Sequence, residues 1–387
     1  MAIVSKDSLR SSIEASTGGL CTVLYDAKGH PNIMRRISKF KIEDVLPDLG
    51  LTGTHPAFIV NGVEKPELFI SVYANTVVDN VGVSLPGLDP AVNMTFDQAV
   101  AYCDNKGPGW HLMSNAEWAA LQALALASDF QPHGNTYWGL NYDLKYETGT
   151  LAPGASNVGV RDDSKHGRTL TGSGPLSWRH DNSPAGIADL VGNVWEWTAG
   201  LRINAGEINI IPDNDVAAGG SQAANSSLWK AILQNGNLAS PGAADTLKYD
   251  AAGANGTGAV VLNKAISSQY PSPDTTASST CAFKSVTAKA GVTVPAIMKM
   301  LGLYPVDTEK PVGQIWHRNS GERLPLRGGD YNNNSNCGLF ALNLNNNRTN
   351  YNRNVGFRSA LVLIRQKPCG YGCRDGTGTK GGHFRPH

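Results

Sequence analysis

LRGGDYNNNSNCGLFALNLNNNRTNYNRNVGFRSALVLI (326–364) places asparagines and core-forming residues side by side. Eleven of the residues from Asp330 to Asn354 are asparagine, a poor former of both helix and strand. Yet the stretch ends in Phe357 and the apolar run Ala360–Ile364. Its middle alternates. In Phe340-Ala-Leu-Asn-Leu-Asn345, a strand would put Phe340, Leu342 and Leu344 on one face and Ala341, Asn343 and Asn345 on the other. One face can anchor to a core while the other presents short amides. Arg348 and Arg358 are expected to reach carbonyls or carboxylates below the surface.

The rest of the chain limits what this segment can belong to. Its 387 residues allow about two to three domains, or one domain with long insertions. A hydrophobic fraction of 41% supports a core and argues against global disorder. A net charge of +1 gives no electrostatic reason for nucleic acid or an anionic membrane as partner. Forty-three glycines point to a loop-rich protein rather than a helical bundle. The first ten residues lack a basic stretch followed by an apolar run, so no signal peptide is expected, and no stretch reaches the ~20 apolar residues of a membrane helix. Six cysteines in a chain this long are not a disulfide framework, and Cys21, Cys103, Cys281 and Cys337 are widely scattered.

Residues 1–54 are weakly patterned, with room for a short helix and a turn in 34–51. Between 56 and 78, "AFIVNGV" and "LFISVYANTVV" are strand-like, and Asn61-Gly62 is a hairpin signal. Thr95-Phe-Asp-Gln98 and Ser114-Asn-Ala-Glu117 are capping boxes. Phe96, Ala99, Val100 and Cys103 form the apolar stripe of the first helix, which stops at Lys106-Gly-Pro-Gly109. Trp118, Leu121, Leu124 and Ala125 form that of the second. The segment 190–203 is predicted as one strand, with Trp195 and Trp197 packed in the core. Residues 204–312 are small-residue-rich and loop-like, interrupted by 228–233 and 294–302. They form an insertion, because neither island could bury a core alone.

In order, Thr95–Cys103, Trp110–Trp118, Gly192-Asn-Val-Trp-Glu-Trp-Thr198, Arg327-Gly-Gly329 and Gly356-Phe-Arg358 resemble the formylglycine-generating-enzyme branch of the C-type lectin fold. The likeness spans about 56–364 and implies an α+β fold with a long loop-rich insertion. The implied organisation is an attachment segment at 1–54, a lectin-fold domain at 55–365 with a variable region at 326–360, and a Gly-rich tail at 366–387. Two kinds of protein share the pattern: the sulfatase-modifying oxidase, and the variable protein of a diversity-generating retroelement, similar to phage receptor-binding tail proteins.

The asparagines separate the two. The oxidase needs two cysteines between its RGG and GFR elements to bind copper(I), a metal that suits thiolates. Here that interval holds only Cys337. In the variable proteins, template adenines are mutated during copying, and asparagine codons begin with two adenines. The resemblance therefore implies a diversified binder without cofactor, not an enzyme. The expected ligand-binding residues are Tyr331, Asn332, Asn333, Asn336, Asn343, Asn345, Asn346, Asn347, Asn350, Tyr351, Asn352 and Asn354. Tyrosine offers rigid amphipathic area, and asparagine adaptable hydrogen bonding.

Asn334 and Asn347 are also the natural turn formers of the interval. A calcium site would need several carboxylates, and the interval has only Asp330. In the tail, Cys369, Cys373, His383 and His387 have zinc-type donors at a spacing shorter than in a zinc finger, so no metal is expected there. The expected partners are a host cell-surface macromolecule and a phage-tail carrier held by the N-terminal segment, with room for a homo-oligomer. Neither nucleic acid nor membrane insertion is expected. The expected location is a virion, with a secreted or cell-surface variable protein as the alternative.

Overall fold

The computed structural model describes residues 7–271 and 277–363. Two sheets carry the architecture, and the start and end of the described chain meet in the smaller one. Its strands are β1 (Cys21–Tyr25), β2 (Pro31–Ser38), β3 (Glu67–Ser71), β4 (Trp110–Leu112) and β14 (Ser359–Leu361), in the order β1-β2-β3-β14-β4. All neighbours are antiparallel. The boundary expected at 54/55 therefore cuts through a sheet: Arg35 and Ile37 of β2 pair with Ile70 and Leu68 of β3. Residues 21–38 are part of the domain, because β3 would otherwise expose an unpaired edge. Helix α1 (Ser8–Ser16) has no fully buried residue, although its half-buried Ile13 packs against the cluster of Cys21, Val23 and Ile33.

The larger sheet contains β5 (Trp195–Trp197), β6 (Leu201–Asn204), β7 (Glu207–Ile210), β8 (Lys248–Ala251), β9 (Val260–Asn263), β10 (Gln314–His317), β11 (Glu322–Gly328), β12 (Gly338–Asn346) and β13 (Val355–Phe357). Its central order is β10-β12-β11-β6-β7-β8-β9, with β5 joining β11 to β13. The single strand expected over 190–203 is two, β5 and β6, because Gly200 takes a left-handed turn between them (φ 75°). Trp195 and Trp197 are buried as core residues.

The segment 204–312 alternates loops with strands. β7, β8 and β9 extend the large sheet, and Ile208, Tyr249, Leu262 and Met298 join the main core. It does not build a core of its own. Its strands are hard to read in the sequence because each is only four residues long and has Gly and Ala on one side.

The local signals correspond to the structure where they rest on short-range chemistry. Asn61 and Gly62 both have positive φ between two short paired strands, as a two-residue hairpin turn requires. Both capping boxes form, on α2 (Phe96–Asp104) and α3 (Asn115–Ala127). Glu117 of the second also accepts from His111 Nε2 (2.8 Å) and Asn214 Nδ2 (2.9 Å), so the helix start is tied to distant chain.

Lys106, just past α2, is fully buried. Its Nζ donates to Asn32 Oδ1 and Ser359 Oγ, both at 2.8 Å, and lies 3.9 Å from the centroid of Trp110. It thus ties β2, β14 and β4 together. Burial outweighs the opposing pull of nearby acidic groups, Asp26 among them, and pushes the amine down to about 7. A lysine with a folded pKa below its unfolded one binds more protons when unfolded. Its stabilising effect is therefore full above the unfolded pKa and is lost as pH falls towards about 7. Relative to Lys106→Met, the wild type should gain on the order of 3 kcal/mol between pH 7 and 10. Urea unfolding of both proteins across that range measures the difference, and parallel pH profiles would refute the assignment.

Candidate functional site

β11 delivers Arg327 and the two glycines after it. Arg327 is fully buried and donates through Nη2 to Asn115 Oδ1 (2.6 Å) and Gly302 O (3.1 Å). Gly328 has φ 89°, and a Cβ there would meet Leu190 O at 2.5 Å. At Gly329 (φ 93°) it would meet Cys337 Sγ at 2.4 Å. Both positions require glycine on backbone conformation and on space.

The chain then enters the first asparagine turn, 330–336. Asp330 is buried. Its carboxylate accepts from Asn332 N (2.8 Å) and from Asn354 Nδ2, which ties this turn to the second asparagine segment. Burial pushes the Asp330 carboxyl up to about 6. Asn333 Oδ1 accepts from Asp330 N (3.0 Å). Asn334 sits in the left-handed region (φ 55°), as a turn-forming asparagine can.

β12 then alternates as expected. Phe340, Leu342 and Leu344 are buried in the main core. On the opposite face Ala341 is buried in a second cluster with Trp195 and Val355, while Asn343 and Asn345 reach the half-buried rim. Asn343 Oδ1 accepts from Asn345 N (2.9 Å) and Asn346 Nδ2 (3.2 Å). Asn347 Oδ1 caps the next turn by accepting from Thr349 N (3.1 Å) and Thr349 Oγ1 (3.0 Å).

Of the twelve residues expected to bind ligand, Asn332, Asn336, Asn347, Tyr351 and Asn352 are exposed, Tyr351 to 64%. Asn333, Asn343, Asn345, Asn346, Asn350 and Asn354 are half-buried. Tyr331 is a correction. It is only 3% exposed, and its ring packs edge-on to Trp138 at 5.2 Å. Its carbonyl accepts from Trp138 N (2.8 Å), so neither ring nor backbone is free for a ligand. The tail donors Cys369, Cys373, His383 and His387 lie outside the described residues.

Arg348 and Arg358 are scaffold. Arg348 pairs with Glu322 through Nε and Nη2 (3.0 Å each) and with Asp97 (2.7 Å), and stacks 5.3 Å from Phe96. Arg358 crosses from β13 to β14. It holds the Glu196 carboxylate at 3.0 and 2.7 Å and donates to Ser71 O (2.8 Å) and Ala188 O (2.9 Å). It therefore rivets the large sheet to the small one.

The residues read from the sequence are not the whole face. Residues 136–168 dock on the asparagine segments. Trp138 Nε1 donates to Asn332 Oδ1 (3.2 Å), Asn334 N to Thr136 O (3.0 Å), Arg353 Nη2 to Asp163 O (2.8 Å) and Arg168 Nη1 to Arg353 O (3.0 Å). Tyr142 and Tyr146 stand out from this loop, Tyr146 79% exposed. Its available signal was the aromatic density of "TYWGLNYDLKY" (136–146).

Cys337 was the residue that spoke against an oxidase. Its thiol is buried, donates to Asp330 O (3.2 Å), and is pushed well above the ordinary thiol range by burial and then by the Asp330 charge. Between Arg327 and Arg358 there is no second cysteine to pair with it. One buried, protonated thiol does not fit a bis-thiolate copper(I) centre.

Residues 74–245 match the family model described as the sulfatase-modifying factor enzyme 1-like domain. The match contains both capped helices and the GNVWEWT strand, and ends before the asparagine segments. With the two-sheet topology it gives a C-type lectin-like fold. No curated protein matches the chain. Among solved structures, Treponema denticola variable protein 1 aligns over 89% of this chain and 99% of its own, at 11% identity and a TM-score of 0.31.

Proposed function

We propose that this chain is a diversified ligand-binding protein whose asparagine segments are template-derived positions on a fixed lectin-type scaffold. The observation that carries the reading is the interleaving within β12 and its flanks. The apolar residues that hold the strand are fully buried, and the asparagines between them reach the rim. Exchange at the rim leaves the core untouched. The chain acts by binding rather than catalysis, which fits a lone buried Cys337 in the interval where the oxidase needs two thiols.

The finer reading is a receptor-binding protein of a phage tail, directed at a protein or glycan on a host surface. Attachment to the carrier then falls to the residues before β1, because α1 has no fully buried residue while the strands after it belong to the sheet. Many copies on one particle raise avidity without new contacts.

The reading is tested by randomising the codons of Asn332, Asn336, Asn347, Asn350, Tyr351 and Asn352 together. Most members should remain folded, and selection against unrelated protein targets should yield binders. A mostly aggregated library would refute it. So would robust conversion of a substrate cysteine to formylglycine by the copper-loaded protein.

A further inference from the structure

We infer that a cleft between residues 131–144 and the first asparagine turn is a cation-receiving subsite, shaped for a lysine or arginine side chain of a protein ligand. The cleft has a volume of about 240 Å³, with His133, Thr136, Asn141 and Asp143 on one wall and Asn334 and Ser335 on the other. One wall is therefore fixed and the other belongs to the asparagine segment. The two are held in register by Asn334 N donating to Thr136 O.

The chemistry of the lining favours a donor. Asp143 is exposed and has no ion-pair partner among the described residues. Asn334 Oδ1 is buried with no hydrogen-bond partner, which carries a cost that a donor seated in the cleft would relieve after a small rotation of the amide. His133 does not oppose a cation by itself, since its Nδ1 lies 3.0 Å from both carboxylate oxygens of Glu147. A neutral ligand group would leave the Asp143 charge unused.

That the cation belongs to a protein ligand rests on the ligand-binding reading of the face; that the cleft takes a cation does not. Saturation-transfer NMR on the full chain, with n-butylammonium, methylguanidinium and 1-butanol as probes, separates the two. Both cations should bind and 1-butanol should not. Asp143→Asn should weaken them about fivefold, the scale of one exposed charge. Asn334→Gly, which keeps the left-handed backbone but removes the acceptor, should weaken them by a similar factor. Equal binding of 1-butanol, cation binding unchanged in both variants, or no cation binding at about 100 mM would each overturn the inference. None of these results bears on whether the asparagines are diversified.

Discussion

Arg358→Met is expected to destabilise the protein by about 3–5 kcal/mol, the cost of breaking a buried ion pair from one side. The substitution leaves Glu196 buried without its bidentate partner, and leaves Ser71 O and Ala188 O without their donor. A lysine should not rescue it, because one ammonium cannot reproduce the planar fork that meets both carboxylate oxygens. The double variant Arg358→Met with Glu196→Leu should recover much of the loss, since replacing both charges removes the uncompensated one. Urea midpoints of the four proteins give the comparison. A loss under about 1 kcal/mol for Arg358→Met would mean that the two sheets are not riveted there.

Leu342→Ala and Leu344→Ala should each cost about 2–5 kcal/mol, because both side chains are fully buried in the main core. Asn336→Ser, Asn350→Ser and Asn352→Ser, a few residues away, should each stay within about 0.5 kcal/mol. Their side chains are exposed or half-buried and anchor no distant element. Asn354 should behave differently from these, since its amide joins the two asparagine segments through Asp330. Thermal unfolding of this panel measures how far stability and the displayed residues are separated. Similar losses at leucines and asparagines would remove the physical basis for a diversifiable face.

Most of the fold was legible where short-range rules dominate. The capping boxes, the Asn61-Gly62 turn and the alternation of β12 all depend on residues within a few positions of one another. The partners of Arg358 were not legible. Glu196 lies 162 positions away, and only the topology brings it to the guanidinium. The same reason hid β1 and β2, whose pairing with β3 is a long-range event in a weakly patterned segment. Tyr331 was misplaced because its position among asparagines suggested display, while its ring is claimed by Trp138 from a distant loop. The docking of residues 136–168 was missed for the complementary reason: nothing near Thr136 or Trp138 in the chain says that they meet Asn334 and Asn332.

The central claim is that the asparagine positions vary by template-directed mutagenesis while the scaffold does not. Sequencing the gene and its flanks from many clones tests it most directly. The expected result is a near-copy of the 326–360 coding region, differing at adenines, beside a reverse-transcriptase gene. Clonal variation should concentrate at the asparagine codons within 332–336 and 343–354 and spare Leu342, Leu344 and Arg358. Uniform codons across clones, with no such repeat nearby, would contradict it.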